Sequence, residues 1–180
     1  MAFTTIRALV IDDNHHMRMI LKGMLRALSS PEIKEATEAV EALELMKNWQ
    51  PDVIICDYFM PQLDGIEFVK LVRQSKDSPC FDVPILLVSG YAERRIVVAA
   101  RDAGADGFIA KPLQTKSLLE KLVRVTPRRR PFIISARYTG PCRRGRPNPH
   151  YAGPLRRESD VDTIMAAESA TARGMGADAA

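Results

Sequence analysis

The sequence VIICD, at residues 53–57, carries the clearest fold signal: it is a short apolar run, rich in β-branched residues, that ends on a carboxylate. Runs of this kind are typical of parallel strands buried on both faces. Three similar runs occur, ALVI at 8–11, ILLV at 85–88 and the shorter GFIA at 107–110, and the alternating IKEA at 33–36 predicts an edge strand. Apolar residues at helical spacing separate the runs. The chain therefore predicts a doubly wound α/β fold, with a five-stranded parallel sheet flanked by five helices.

Polar side chains follow these runs at the same end of each predicted strand. Asp12 and Asp13 follow the first, Asp57 the third, Ser89 the fourth and Lys111 the fifth. Doubly wound sheets bind ligands beyond the carboxyl ends of their strands. Three carboxylates held there would repel one another without a cation, and oxygen ligands favour Mg²⁺. A carboxylate beside Mg²⁺ can attack a phosphoryl group, whose oxygens the lysine and serine would stabilise.

Together these motifs resemble the receiver domain of response regulators in bacterial two-component signalling, of the chemotaxis type. The matching text is VIDD at 10–13, DYFMP at 57–61 with DG at 64–65, SGY at 89–91 and KP at 111–112. Each motif alone is typical of an ordinary turn or helix start, but their placement after alternating strands favours the family. The resemblance implies a receiver domain over residues 5–126, a sheet of order 2-1-3-4-5 and a cis Lys111–Pro112 peptide bond.

The resemblance also implies a role for each site residue. Asp57 is the phospho-acceptor, and Ser89 and Lys111 bind the phosphoryl oxygens. The implied Mg²⁺ ligands are Asp13, Asp57 and the backbone carbonyl of Phe59, with Asp12 acting mainly through water. Ser89 moves toward the phosphoryl group, and Phe108 turns inward in the active state.

Two bulky residues flank the predicted site and bear on the lifetime of the phosphorylated state. Phe59 lies two residues after Asp57, and Tyr91 lies two residues after Ser89. In the family, these positions line the path of the water that hydrolyses the acyl phosphate. We predict that both side chains shield the phosphoryl group and slow self-dephosphorylation.

The implied partners are a histidine kinase or a phosphotransfer protein as donor, and an output protein bound by the face of helix 4, strand 5 and helix 5 or by the C-terminal segment. Onward transfer in a phosphorelay is a variant of this hypothesis. The protein is then not an enzyme beyond its own phosphorylation and dephosphorylation. A phosphatase of the Asp-x-Asp kind would need a second aspartate at Phe59.

Composition agrees with a cytoplasmic protein. The chain has 180 residues, of which 46% are hydrophobic and 27% charged. No apolar run approaches the roughly 20 residues that span a bilayer, and the N-terminus lacks the basic and apolar pattern of a secretion signal. The three cysteines suggest neither a disulfide framework nor a zinc site. We expect no membrane association.

Residues 127–180 differ from the rest of the chain in composition. Nine arginines and no acidic residue lie between residues 127 and 157, whereas residues 1–126 hold 16 basic and 17 acidic residues. The apolar content is too low for an independent core, and no helix-turn-helix pattern is present. We predict a largely irregular tail, rich in Arg, Pro and Gly. A sequence resembling a capping box, SDVD at 159–162, predicts a short helix near 160–172.

Three interpretations of this tail stay open. It is a solvated extension, a docking segment, or a nucleic-acid contact through its arginines. As a docking segment, it would anchor to a partner or to the receiver's own surface through Phe132, Ile133, Ile134 and Tyr138. Nucleic acid is the less favoured alternative, because a charge run is a weak motif and no rigid element could enter a groove.

Overall fold

The structure is a computed structural model that describes residues 6–28, 32–75, 78, 80–126, 132–135 and 138–143, and the backbone of 164–165. Five strands alternate with five helices in the first 126 residues. In chain order these elements are β1 (Arg7–Ile11), α1 (His15–Ala27), β2 (Glu32–Ala36), α2 (Ala39–Asn48), β3 (Val53–Asp57), α3 (Gly65–Gln74), β4 (Ile85–Ser89), α4 (Arg94–Ala103), β5 (Gly107–Ala110) and α5 (Thr115–Val125).

All five strands are parallel and form one sheet of order β2-β1-β3-β4-β5. The predicted fold is confirmed, including the edge position of β2. The central strands β1, β3 and β4 are almost wholly buried because helices cover both faces of the sheet. Alternate residues of β3 enter opposite cores: Ile54 packs with Phe68 of α3, and Ile55 packs with Leu118 of α5.

Local sequence sets where the helices begin and end. Asn14 caps α1 by accepting hydrogen bonds from the backbone N–H groups of His16 and Met17. Asp64 and Glu67 form a reciprocal capping box at the start of α3. Gly104 ends α4 in the left-handed conformation, with φ of 104°, which glycine adopts without a Cβ penalty. Both capped helix starts lie at the carboxyl end of the sheet, where the predicted site residues lie.

The tail differs in part from the prediction of an irregular segment. Strands β6 (Phe132–Ser135) and β7 (Tyr138–Pro141) form an antiparallel hairpin, and β8 (Ile164–Met165) pairs with β6 on its other edge. The helix predicted near 160–172 is wrong at residues 164–165, which form a strand; the rest of that range lies outside the described residues. These two residues pair with β6, which provides backbone hydrogen-bond partners, whereas a short helix without tertiary contacts is only marginally stable in water.

Among the helices that the structure describes, none has both the length and the apolar character needed to cross a membrane.

Candidate functional site

Three carboxylates meet at the carboxyl end of the sheet. Asp12 and Asp13 follow β1, and Asp57 ends the neighbouring strand β3. One carboxylate oxygen from each of the three lies within 4.8 Å of the others. Asp12 and Asp57 are buried, whereas Asp13 is exposed, so the cluster opens to solvent on the side of Asp13. The structure thus brings together the three acidic residues that the sequence places in one site.

Lys111 reaches this cluster from the far side of β4. Its Nζ lies 2.9 Å from Oδ1 of Asp57 and 3.5 Å from Oδ2 of Asp12. The backbone N–H of Lys111 donates to the carbonyl of Ser89 at 2.7 Å, which fixes the start of the side chain. The Lys111–Pro112 bond is cis, as predicted. A long unbranched side chain is needed here, since it must pass β4 to contact residues that follow β1 and β3.

The electrostatics of the cluster favour an added cation. Burial, reinforced by the nearby charge of Asp12, raises the pKa of the Asp57 carboxyl above its ordinary value of 3.8, although the hydrogen bond from Lys111 opposes this. Burial alone would lower the pKa of Lys111, but Asp57 and Asp12 raise it above 10.5. Lys111 is therefore firmly charged, and one ammonium does not offset the burial of two carboxylates together with a third close by.

The donor set fits Mg²⁺. The cluster offers only carboxylate oxygens, which hard divalent cations prefer. Asp12 already uses both of its oxygens: Oδ1 accepts from the backbone N–H of Asn14 at 2.8 Å, and Oδ2 faces Lys111. Asp13 and Asp57 are therefore the better direct ligands. This agrees with the indirect role that the resemblance implies for Asp12; the carbonyl of Phe59 stays a predicted ligand.

Ser89 and Phe108 lie on the neighbouring strands β4 and β5. The buried Ser89 hydroxyl accepts a hydrogen bond from the backbone N–H of Tyr91 at 3.0 Å and lies 3.2 Å from the Tyr91 carbonyl. The Phe108 ring is half-buried and packs against the core on the α2–α4 side of the sheet. Ser89 is thus engaged with its own loop and would have to leave it to contact a phosphoryl group.

Phe59 and Tyr91 follow adjacent strands and are among the most exposed large apolar side chains of the described chain, at 71% and 63% exposure. At this exposure, neither ring is packed into the core in this structure. Their predicted effect on the rate of dephosphorylation remains a prediction.

Gly65 has a structural role that sequence reasoning did not assign. A Cβ at this position would lie 2.5 Å from the backbone oxygen of Asp57 and 2.9 Å from Cδ2 of Leu87. The first turn of α3 therefore packs directly against the backbone of β3 at Asp57. The sequence signals are the DG pair at 64–65 within the family match and a glycine at the first position of a helix, and neither shows what the glycine contacts.

A buried arginine at the opposite end of the domain was also missed. The side chain of Arg73 on α3 is fully buried, pairs with Asp106 at 2.9 Å and donates from Nε to the carbonyl of Gly104 at 3.0 Å. The Phe132 ring of β6 covers it, 5.4 Å from Cζ, and meets the Phe81 ring edge-on at 5.7 Å. The hairpin of β6 and β7 thus closes over a buried charge.

The same hairpin is fastened to the C-terminal end of α4. Gly104 and Gly140 approach so closely that a Cβ on Gly140 would lie 2.8 Å from Cα of Gly104. Arg143 pairs with Asp102 at 3.2 Å and lies 4.4 Å from the centre of the buried Tyr138 ring. Of the three interpretations of the tail, the docking segment applies to the hairpin, which packs on the receiver's own surface at α3 and α4. The apolar residues of the segment were the signal for it.

Comparisons with known proteins agree with the geometry. The family model described as response regulator receiver domain matches residues 8–123. Curated relatives include chemotaxis protein CheY-3 of Vibrio cholerae, 32% identical over 68% of this chain and 93% of the relative, and a CheY homolog of Campylobacter jejuni, 38% identical over 65% of this chain and 89% of the relative. The solved structure of Vibrio cholerae CheY4 is 30% identical, covers 68% of this chain and 99% of its own, and superposes with a TM-score of 0.61.

Proposed function

Because the chain belongs to the response regulator receiver family, we propose that it accepts a phosphoryl group on Asp57 and signals through the resulting change of conformation. The observation that supports this most directly is the Asp57 carboxylate itself. It lies within 4.8 Å of Asp12 and Asp13 and 2.9 Å from the Lys111 ammonium. No simple structural role accounts for three carboxylates and a lysine gathered at the carboxyl end of a parallel sheet.

The transfer follows from the positions of these residues. An Asp57 oxygen forms the new P–O bond while the bond from phosphorus to the donor breaks. The Lys111 ammonium offsets the charge of the transferred oxygens, and the Ser89 hydroxyl donates a hydrogen bond to one of them. Mg²⁺ held by Asp13 and Asp57 would supply further positive charge to these oxygens.

We propose a histidine kinase or a histidine phosphotransfer protein as the donor, in line with the two-component family. In this proposal the protein is a phosphorylated signalling component, or an intermediate of a phosphorelay, and not an enzyme acting on other substrates. Phe59 supports the non-enzymatic role, since a phosphatase of the Asp-x-Asp kind would need a second carboxylate at this position to activate a water. A cytoplasmic location fits such a donor.

Ser89 and Phe108 supply the proposed switch. Ser89 gives up its hydrogen bond with the Tyr91 N–H to contact the phosphoryl group, and Phe108 then packs more deeply behind it. Both residues belong to strands that flank α4, so phosphorylation shifts a two-state equilibrium of this face.

The hairpin narrows the surface available to an output protein. It covers the C-terminal end of α4, where Asp102 pairs with Arg143. The N-terminal part of α4 stays exposed and carries Arg94 and Arg95 together with Val97 and Val98. We propose that a protein partner binds there, and at the adjacent β5 and α5. The comparisons do not support the nucleic-acid alternative.

The domain boundary is part of the proposal. The family match ends at residue 123, but the hairpin buries Phe132 and Tyr138 against α3 and α4. We propose that the folded unit includes the hairpin through Arg143 together with β8, which pairs with β6.

The proposed acceptor can be tested by incubating the full chain with Mg²⁺ and a small phosphoramidate donor. Intact-protein mass spectrometry should show addition of one phosphoryl group, and Asp57→Asn should abolish it. Asp52→Asn is the matched control, because Asp52 is an aspartate of the same chain that pairs with Arg7 away from the cluster. Phosphorylation that persists in Asp57→Asn, or that does not require Mg²⁺, would contradict the proposal.

A further inference from the structure

We propose that Arg18 is a positioning residue for the cation site, holding the loop that presents Asp12 and Asp13. The inference rests on the proposed function, since it assumes that this site binds Mg²⁺. Arg18 lies outside the acidic cluster, in the first turns of α1. Its side chain forms hydrogen bonds with the backbone carbonyl oxygens of Asp12 and Asp13.

The guanidinium of Arg18 contacts two consecutive carbonyl oxygens of the loop. Its Nη1 donates to the carbonyl oxygen of Asp12 at 2.8 Å and lies 3.3 Å from that of Asp13. The side chain is only 11% exposed, so these hydrogen bonds face little competition from water. Because Arg18 uses the carbonyls, it leaves the Asp13 carboxylate available to a cation and does not compete for the oxygens of Asp12. Lys111, by contrast, contacts the carboxylates themselves.

Arg18 is itself held in place from β2. Its Nε lies 3.4 Å from Oε2 of Glu35, and Lys22 pairs with Oε1 of the same carboxylate at 2.5 Å. Glu35 lies beside Val10 in the sheet, one strand away from the loop. The guanidinium therefore lies between a carboxylate on β2, with which its Nε forms an ion pair, and the backbone that follows β1, which its Nη1 contacts; the branched head of arginine spans the two, whereas the single ammonium of lysine does not.

The loop is held from its other side as well. The backbone N–H of Asn14 donates to Oδ1 of Asp12 at 2.8 Å, and the N–H of Asp12 donates to the Ala36 carbonyl at 3.3 Å. These bonds orient Asp12 but leave the peptide between Asp12 and Asp13 without any constraint other than Arg18 among the hydrogen bonds of the described residues. Rotation of that peptide would turn the exposed Asp13 carboxylate away from Asp57.

Positioning and simple electrostatics predict opposite results for this residue. A positive charge close to a cation site weakens cation binding, so loss of Arg18 charge alone should tighten Mg²⁺ binding. Loss of positioning should weaken it. Other charged or titratable groups near the guanidinium are Glu35, Lys22 and the imidazole of His15, whose Nδ1 lies 3.3 Å from Nη2.

Calorimetric titration of the full chain with Mg²⁺ tests the inference, using Arg18→Gln and the matched control Lys22→Gln. Each variant removes one positive charge beside Glu35, but only Arg18 contacts the loop. We expect Arg18→Gln to raise the Kd for Mg²⁺ about tenfold, from two lost hydrogen bonds to backbone carbonyls. Lys22→Gln should leave it unchanged or slightly lower. Equal or tighter binding by Arg18→Gln than by Lys22→Gln would overturn the inference.

A second variant and a second readout separate positioning from a general loss of stability. Arg18→Lys keeps the charge but cannot bridge Glu35 and two carbonyls, so its Kd should also rise several-fold. Thermal unfolding without Mg²⁺ shows whether each variant is folded at the titration temperature. If the wild-type chain binds no Mg²⁺, or Asp13→Asn binds it equally well, the proposed site itself fails. Wild-type binding with unaltered Kd in both Arg18 variants contradicts only the positioning role.

Discussion

For the substitution Gly65→Ala, helix propensity and the packing seen in the structure predict opposite effects on stability. Gly65 is the first residue of α3. In the middle of a helix, alanine is more stabilising than glycine by about 0.5–1 kcal/mol, which sets an upper limit for the gain expected at this position. In the structure the new Cβ would lie 2.5 Å from the Asp57 carbonyl oxygen, whereas ordinary contact begins at 3.4 Å. The overlap of about 0.9 Å falls on the backbone of β3, which cannot move as a flexible side chain can.

Relief of this overlap must shift either α3 or the end of β3. Overpacking of this kind costs about 1–3 kcal/mol, so the free energy of unfolding should fall despite the gain in helix propensity. A displacement of Asp57 by up to about 1 Å would also misalign the attacking oxygen, which can cost on the order of 10²-fold in rate. We therefore expect Gly65→Ala to lower both the stability of the protein and its rate of phosphorylation.

The assay is denaturant unfolding together with the rate of phosphorylation by a small donor, measured by intact-protein mass. Gly23→Ala and Gly90→Ala are the controls, because an added Cβ at either position would have no neighbour within 4 Å. Gly23→Ala, on the exposed side of α1, should raise stability by up to about 1 kcal/mol. Wild-type stability and rate in Gly65→Ala, or an equal loss of rate in Gly90→Ala, would refute the reasoning.

Three further predictions concern dephosphorylation, the hairpin and pH. The Phe59→Asn, Tyr91→Glu double variant should hydrolyse its aspartyl phosphate faster than the wild type, as followed by loss of phosphorylated mass; equal or slower hydrolysis contradicts shielding. Phe132→Ala should lower the free energy of unfolding by about 3–5 kcal/mol, since the buried ring covers Arg73, and an unchanged denaturation midpoint would show that the hairpin adds no stability. Hydrogen bonding from Lys22, despite the opposing effect of burial, lowers the pKa of Glu35 below 4.5. Its contribution to stability is therefore present above pH 4.5 and lost as pH falls through the lowered pKa. The stability gap between wild type and Glu35→Gln should close on acidification, and a gap that widens instead would contradict this.

Much of the site was readable from the sequence because its parts are local. Each strand is a continuous apolar run, and each site residue is the first polar residue after such a run. The parallel arrangement then brings Asp12, Asp13, Asp57, Ser89 and Lys111 to one end of the sheet with no further information needed. Family resemblance added the strand order and the cis bond before Pro112, both of which the structure confirms.

Other features of the site have no local signature. Gly65 is an ordinary glycine until α3 is packed on β3, and Arg18 is an ordinary helical arginine until β2 brings Glu35 beside it. The tail shows the same limit. Its composition is dominated by arginine, so the two short strands are not evident from composition. Their buried residues, Phe132 and Tyr138, pack against α3 and α4, which are distant in the chain.

Hydrophobic period and the residue after each strand are properties of neighbouring positions, so the sequence alone predicts the sheet, its flanking helices and which residues form the acidic cluster. The packing of these elements, in contrast, set which groups from distant parts of the chain contact one another. It placed α3 against the Asp57 carbonyl, Arg18 against the loop after β1, and a C-terminal hairpin over the buried Arg73. Such contacts join residues far apart in the chain, and their energies depend on distances of a few tenths of an ångström that no periodicity encodes.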